Sequence, residues 1–328
     1  MHACQHLSVV VPVYRGERSI AALVEELEPL HAEPQATPAG LLYRVEEVLL
    51  VHDCGPDRSD LVLEQLQQRF PFVRAIWLSR NFGQHAATLA GMAAACGDWV
   101  ATLDEDGQQD PASLGGMVDT ALGEGLQLVY AEPLNPPPHG PLRNLMSRLA
   151  KRITGLLLGN SRLGRFNSFR LVEGEVARTL AAYCGQGVYL DVGLYWIAGR
   201  IGHCPVRLRQ ERGRSSSYSW LGLLRHFWHL VLTTGTKPLR LITYIGLGSV
   251  LLSLGLTGYA LAQKLSGSVP VQGWTSLLLI VAFFSGCILI SLGIIAEYLA
   301  MTMGIIMGRP LYVVSSHPTR PPRGRGDG

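Results

Sequence analysis

The chain has 328 residues, 48% of them hydrophobic and only 16% charged, with a mean hydropathy of +0.20. Soluble domains ordinarily carry about 25% charged residues, so this composition excludes a disordered chain and argues against a purely soluble one. The formal net charge is only +3 and no basic stripe with interleaved aromatics is present, which sets nucleic acid aside as a partner.

At the start of the chain, MHACQHLSVVVPVY lacks the basic region, long apolar core and small-residue cleavage site of a secretory signal, so these residues are expected to belong to the fold. Leu7 to Val13, Val48 to Val51 and Trp99 to Leu103 read as short apolar strands. Between them Ser19 to Leu30, Asp60 to Arg69 and Gln84 to Cys96 have helical character, with Ala86, Ala87, Ala90, Ala93 and Ala94 suited to close packing. Apolar strands alternating with helices predict an α/β domain on a parallel sheet covered on both faces. The six cysteines show no CxxC pair and no zinc-like spacing, which suits reduced thiols. The segment Asn135 to Pro141 (NPPPHGP) ends the pattern.

Beyond that break, Leu142 to Leu158 has apolar residues at spacings of three and four with Arg143, Arg148, Lys151 and Arg152 between them. It reads either as a helix lying in a membrane interface or as one packed on the domain. Trp220 to Leu232 repeats the design. Leu241 to Ala262 and Trp274 to Ala296 each supply about 20 uncharged, mainly apolar residues, the length that ~30 Å of hydrocarbon requires. Their link, 263–273, holds only Lys264, whereas Lys237 and Arg240 precede the first stretch and Arg309, Arg320, Arg323 and Arg325 follow the second. By the positive-inside rule both ends face the cytosol. The expected layout is a cytosolic domain over 1–210, a juxtamembrane amphipathic helix in 211–239, two transmembrane helices in 240–299 and a cytosolic tail over 300–328. That describes a multi-pass protein of the inner (cytoplasmic) membrane.

The sharpest chemical signal is Thr102-Leu103-Asp104-Glu105-Asp106-Gly107-Gln108 at the end of an apolar strand, where open α/β sheets bind ligands. Asp104 and Asp106 can offer hard oxygen ligands to Mg²⁺ or Mn²⁺, and the amide oxygen of Gln108 can complete the set. Such ions take few carboxylates together with substrate phosphates, so a metal clamp on a diphosphate follows. An Asp-X-Asp alone is a weak signal, since acidic loops are commonly just solvated.

Three further segments supply context. Val10-Val11-Pro12-Val13-Tyr14-Arg15-Gly16-Glu17 ends the first strand, Val51-His52-Asp53-Cys54-Gly55-Pro56-Asp57-Arg58-Ser59 ends the second, and Leu78-Ser79-Arg80-Asn81-Phe82-Gly83-Gln84-His85 precedes a helix. Together with the acidic segment, these resemble the family 2 glycosyltransferases of GT-A fold. With two C-terminal spans ending in Ala296-Glu297-Tyr298-Leu299, the whole is similar to the polyprenyl-phosphate branch of that family, which includes dolichyl-phosphate mannose synthase and bacterial undecaprenyl-phosphate glucosyl- and aminoarabinosyl-transferases.

The resemblance implies a GT-A, Rossmann-like nucleotide-sugar domain in which Pro12, Tyr14 and Glu17 line the nucleotide and Asp53 holds its base or ribose. Asp104, Asp106 and Gln108 would manage metal and diphosphate, and Arg143 and Ser147 would bind the lipid phosphate. Phe169-Arg170 fits a family motif, and Gly213 to Tyr218 resembles a Gly-X-Ser-X-Tyr loop with one residue inserted, leaving Arg209 and Arg212 as alternative phosphate ligands. Bland alternatives stand beside these roles: Pro12 ending a strand, Tyr14 packing, Asp53 capping the next helix, Arg143 as surface charge. Three departures bear on donor preference: His52 for the first of two aspartates, Arg15-Gly16 for Asn-Glu, and Glu132-Pro133 where an acceptor-binding arginine often stands. The implied activity is inverting transfer of a sugar, UDP-linked by preference, to polyprenyl (undecaprenyl) phosphate. The implied partners are the donor, the lipid acceptor and the membrane, and a homo-oligomer is compatible with them. The competing class is a non-catalytic, membrane-bound nucleotide-sugar-binding partner of a flippase or another transferase.

Overall fold

The computed structural model describes residues 4–134, 166–185, 188–209, 274–307 and 310–318, with isolated positions between 246 and 262. The strands are β1 (Gln5–Val13), β2 (Gln35–Ala36), β3 (Leu42–His52), β4 (Val73–Leu78), β5 (Trp99–Thr102), β6 (Leu128–Pro133), β7 (Arg170–Glu173), β8 (Ile201–Val206) and β9 (Val314–Ser315). The helices are α1 (Ile20–Ala32), α2 (Ser59–Arg69), α3 (Gln84–Ala94), α4 (Leu114–Glu124), α5 (Gly174–Tyr183), α6 (Leu190–Ile197) and α7 (Trp274–Ile306).

The strands form one sheet in the order β8-β6-β7-β5-β1-β3-β4-β9, with β2 paired to β3 beside that path. Period-two alternation builds a core on each face. Val9, Val11 and Val13 of β1 point into one layer with α1, α2 and α4, while Val10 points into the other with α3, α5 and α6. β3 divides likewise, Val48 and Leu50 against Leu49 and Val51. The alanine-rich α3 lies close on β1, since a Cβ on Gly91 would stand 2.2 Å from Val10 Cγ1. Ala86, Ala87 and Ala90 are the buried side of that contact, and Ala93 is exposed.

The expected α/β class holds, but the all-parallel sheet is corrected. β5, β1, β3 and β4 form one parallel run, and β6 and β8 pair parallel to each other on the far side of β7. β7 enters between β5 and β6 antiparallel to both, pairing Trp99 with Glu173 and Leu128 with Val172. The reason is local: β7 is a four-residue strand that returns to the sheet directly before α5, too short to carry a pattern of its own.

The second expected span is met by α7, which runs on past Ala296 to Ile306 because Glu297 and the residues after it continue in helical conformation. Its Phe283–Ala300 stretch is apolar enough to cross a membrane and none of it is buried in the protein, as a soluble core helix would be. At about 1.5 Å per residue the 33-residue helix exceeds the ~30 Å of hydrocarbon. The first expected span, the 263–273 link and the amphipathic helices near 142–158 and 220–232 lie outside the described residues, apart from the isolated positions.

Candidate active site

The carboxyl ends of the parallel strands define the site. From β1 the chain moves outward to β3 and β4, then places β5 on the opposite side of β1, so the strand order reverses between β1 and β5. Open α/β sheets bind ligands in that crevice. A cavity of about 470 Å³ lies here, a size that suits a small molecule. Pro12, Val13 and Tyr14 line it from the end of β1, Asp53 from β3, Asn81, Gly83 and Gln84 from the turn between β4 and α3, and Asp104, Glu105 and Asp106 from β5.

Each loop is held in place by identifiable bonds. The Asp53 carboxylate accepts from the Phe82 N–H at 2.7 Å and the Gly83 N–H at 2.8 Å. It therefore fixes the start of α3 and does not cap α2, the helix that follows it. Gly83 has φ +92°, a conformation that glycine adopts without strain. Glu105 crosses the crevice and accepts from the N–H groups of Tyr14 at 2.8 Å and Arg15 at 3.0 Å. Beneath that turn, a Cβ on Gly55 would lie 1.7 Å from the Tyr14 carbonyl oxygen, so only glycine fits there.

Asp104 is half-buried at the wall of the crevice. Its carboxylate accepts from Gln84 Nε2 at 2.7 Å, from Gln109 Nε2 at 2.7 Å and from the Ser168 hydroxyl. Gln109 is buried and works at both ends, because its Oε1 also accepts from the Asp104 N–H at 2.8 Å. Burial pushes the Asp104 carboxyl up from its ordinary value and Asp106 adds to that push, while the Ser168 hydrogen bond, the Arg170 charge and the Gln84 hydrogen bond oppose it. Asp106 is exposed, and its Oδ1 accepts from the Gln108 N–H at 3.1 Å.

Behind Asp104 lies a fully buried polar cluster. Arg170 pairs with Asp191, the Tyr130 hydroxyl donates to the same Asp191 oxygen at 2.9 Å, and Arg170 Nε donates to Thr102 Oγ1 at 3.2 Å. These bonds tie β5, β6, β7 and α6 together directly under the acidic turn.

Of the residues expected from sequence, Pro12, Tyr14, Asp53, Asp104 and Asp106 meet in one cavity. Glu17 is not among its lining: its N–H donates to Asp57 at 3.1 Å and its carboxylate accepts from the Arg58 N–H at 3.3 Å. Gln108 does not line the cavity either, and its carbonyl accepts from the Arg209 N–H at 2.8 Å. Arg209 is committed elsewhere, with its guanidinium on Glu26 at 2.7 Å and Asp110 at 2.9 Å. Arg143, Ser147 and Arg212 lie outside the described residues. Sequence reading missed Asn81, Gln84, Glu105, Gln109 and Ser168; the first three stood inside the quoted motifs, whereas nothing local marks Gln109 or Ser168 as neighbours of Asp104.

Among the described residues no group of three or more His, Cys, Asp or Glu could hold a metal by itself. Among the described residues, the lining nevertheless carries four carboxylates and no lysine or arginine. An anionic diphosphate would be repelled from such a pocket without a cation, so the residues fit an ion whose remaining ligands come from phosphate oxygens and water.

His52, at the end of β3, is buried, and among the described residues neither ring nitrogen has a hydrogen-bond partner. It packs edge-on against Trp77 at 5.5 Å. Burial lowers its pKa below the ordinary 6.5, with Asp60 and Asp57 opposing. Neither folded nor unfolded chain holds this proton above that value. As pH falls through about 6.5 the unfolded chain binds it first, so stability is lost, by at most about 1.4 kcal/mol per pH unit. Comparing unfolding midpoints of wild type and His52→Phe across this range is expected to show a flatter profile in the variant.

A strand-end pocket at a sheet's switch point is where open α/β proteins bind their ligands. Residues 8–180, a little over half of the chain, match Glycosyl transferase family 2, and the chain belongs to that family of enzymes. It is 27% identical over 317 residues to an undecaprenyl-phosphate 4-deoxy-4-formamido-L-arabinose transferase of Salmonella choleraesuis, covering 94% of this chain and 92% of that one. It is 26% identical over 316 residues to an uncharacterised glycosyltransferase of Synechocystis, covering 94% of each. Among solved structures, S. aureus TarS in complex with UDP-GlcNAc matches with a TM-score of 0.48 at 16% identity, over 71% of this chain and 67% of that one. Glucosyl-3-phosphoglycerate synthase from Mycobacterium tuberculosis in complex with Mn²⁺, UDP and phosphoglyceric acid matches with a TM-score of 0.44 at 19% identity, over 70% of this chain and 77% of that one.

Proposed function

We propose that this family 2 glycosyltransferase moves a sugar from a nucleotide-sugar donor, UDP-linked by preference, to a polyprenyl phosphate of the undecaprenyl type at the cytosolic face of the inner membrane. The observation that carries this reading is that likeness to the Salmonella transferase spans 94% of the chain, so it includes the apolar α7 as well as the catalytic domain. In this reading residues 1–210 are the cytosolic domain, 240–299 hold two spans, and 300–328 return to the cytosol.

The lipid phosphate oxygen attacks the anomeric carbon, the bond from that carbon to the nucleoside diphosphate breaks, and the carbon inverts. A phosphate monoester has a second pKa of about 6, so the nucleophile is already ionised near neutral pH and needs no protein base. Pro12, Tyr14 and Asp53 form the nucleotide end of the pocket, with Asp53 acting through the 82–83 amides that it fixes. Asp106, with Asp104 behind it, would hold Mg²⁺ or Mn²⁺. When bound, that ion supplies Lewis-acid stabilisation of charge on the departing diphosphate. Arg143 and Ser147 are the residues we assign to the lipid phosphate.

Purified protein offered a panel of nucleotide sugars with undecaprenyl phosphate is expected to release nucleoside diphosphate from one donor class only when the lipid is present. Chelation should abolish release and added Mg²⁺ or Mn²⁺ should restore it. Release that is indifferent to chelation, or no release with any donor, contradicts the reading.

A further inference from the structure

We infer that residues 311–315, which follow the apolar helix, are a positioning element of the donor site. By completing the sheet edge they hold the 79–83 loop in its binding conformation, and so couple the membrane anchor to the pocket. The inference rests on the proposed use of that pocket for a nucleotide.

β4 would otherwise be an edge strand with unpaired N–H and C=O groups. The tail covers it as β9, pairing Trp77 with Ser315 and Leu78 with Val314 antiparallel. One step further on, the Ser79 N–H donates to the Val313 carbonyl at 2.9 Å. Leu311 and Tyr312 pack half-buried against the core layer that also receives Phe82. The backbone contacts therefore fall at the root of one loop. Within it, Asn81 and Gly83 line the cavity, and the Phe82 and Gly83 amides are those that bind Asp53.

Val313 and Val314 are themselves exposed, so this short strand adds little to the hydrophobic core. Its placement is what distinguishes it. Connectivity does the rest: α7 ends at Ile306 and β9 begins at Val314, and eight residues span at most about 28 Å when fully extended. The C-terminal end of α7 thus cannot lie farther than that from the sheet edge beside the pocket.

The test uses the full-length protein in detergent and compares wild type, the double variant Leu311→Asp/Tyr312→Asp and the conservative Tyr312→Phe. Two quantities are read: hydrogen exchange at Ser79, Phe82 and Gly83, and UDP affinity by calorimetry. The charged variant is expected to exchange these amides roughly ten-fold faster and to bind UDP roughly ten-fold more weakly, with β1 and β5 as protected as in wild type and Tyr312→Phe unchanged. Unaltered exchange at the three amides in the charged variant overturns the inference. So does a loss of protection throughout β1 and β5, which would make the tail a general stabiliser. Wild-type protein that binds no UDP contradicts that donor preference, while the loop's exchange still decides the coupling.

Discussion

Asp106→Asn is expected to lower sugar transfer by about a hundred- to a thousand-fold, the usual cost of removing one group that stabilises charge in a transition state. The fold should be untouched. Asp106 is exposed and its only role in the turn shown by geometry is to accept the Gln108 N–H through Oδ1, which an asparagine oxygen does equally well. What the substitution removes is one negative charge from a lining that, among the described residues, has no lysine or arginine. Exposed changes of this kind ordinarily shift stability by no more than about 0.5 kcal/mol, so an unaltered melting temperature beside lost turnover would separate chemistry from folding. Asp104→Asn is the poorer probe. Its carboxylate accepts from Gln84, Gln109 and Ser168 together, and an amide NH₂ would face a donor where an acceptor is required.

Asp191→Ala is expected to give the largest loss of stability, about 3–5 kcal/mol, because it strands the Arg170 guanidinium in the core without its counter-charge. It also leaves the Tyr130 hydroxyl without its acceptor. For a domain of this size that corresponds to a drop of roughly 6–20 °C in Tm, measurable through the buried Trp77 and Trp99. The companion variant Arg170→Met/Asp191→Leu/Tyr130→Phe removes all three polar partners at similar volume and is expected to recover most of the loss. Recovery of stability without recovery of activity would show that the buried cluster sets the position of Asp104, three residues of which network lie on strands that end beside it.

Much of this site was legible because its chemistry is local. Pro12, Tyr14, Asp53, Asp104 and Asp106 each follow an apolar run within a few residues, and a strand's end is where an α/β sheet presents side chains to a ligand. Strands β1, β3 and β5 of the parallel run follow from the same pattern, whereas β4 carried no expectation. What escaped is long-range. Ser168 meets Asp104 only because β7 inserts antiparallel beside β5, and Asp53 turns out to serve the 82–83 amides because β3 and β4 are neighbours. A two-residue strand such as β9 has no periodicity to detect. The uncharged window 274–296 marks an apolar stretch and not a helix end, and α7 continues through Glu297 to Ile306. Glu17, expected from its motif position, instead accepts the Arg58 N–H and is not among the cavity lining.

The most direct test of the account is the mass of the lipid recovered after purified protein is incubated with undecaprenyl phosphate, a nucleotide sugar and Mg²⁺. The account predicts a new species heavier than undecaprenyl phosphate by one glycosyl residue and retaining a single phosphate, absent with Asp106→Asn. A product carrying a diphosphate, or sugar appearing on water or protein with the lipid mass unchanged, would contradict it.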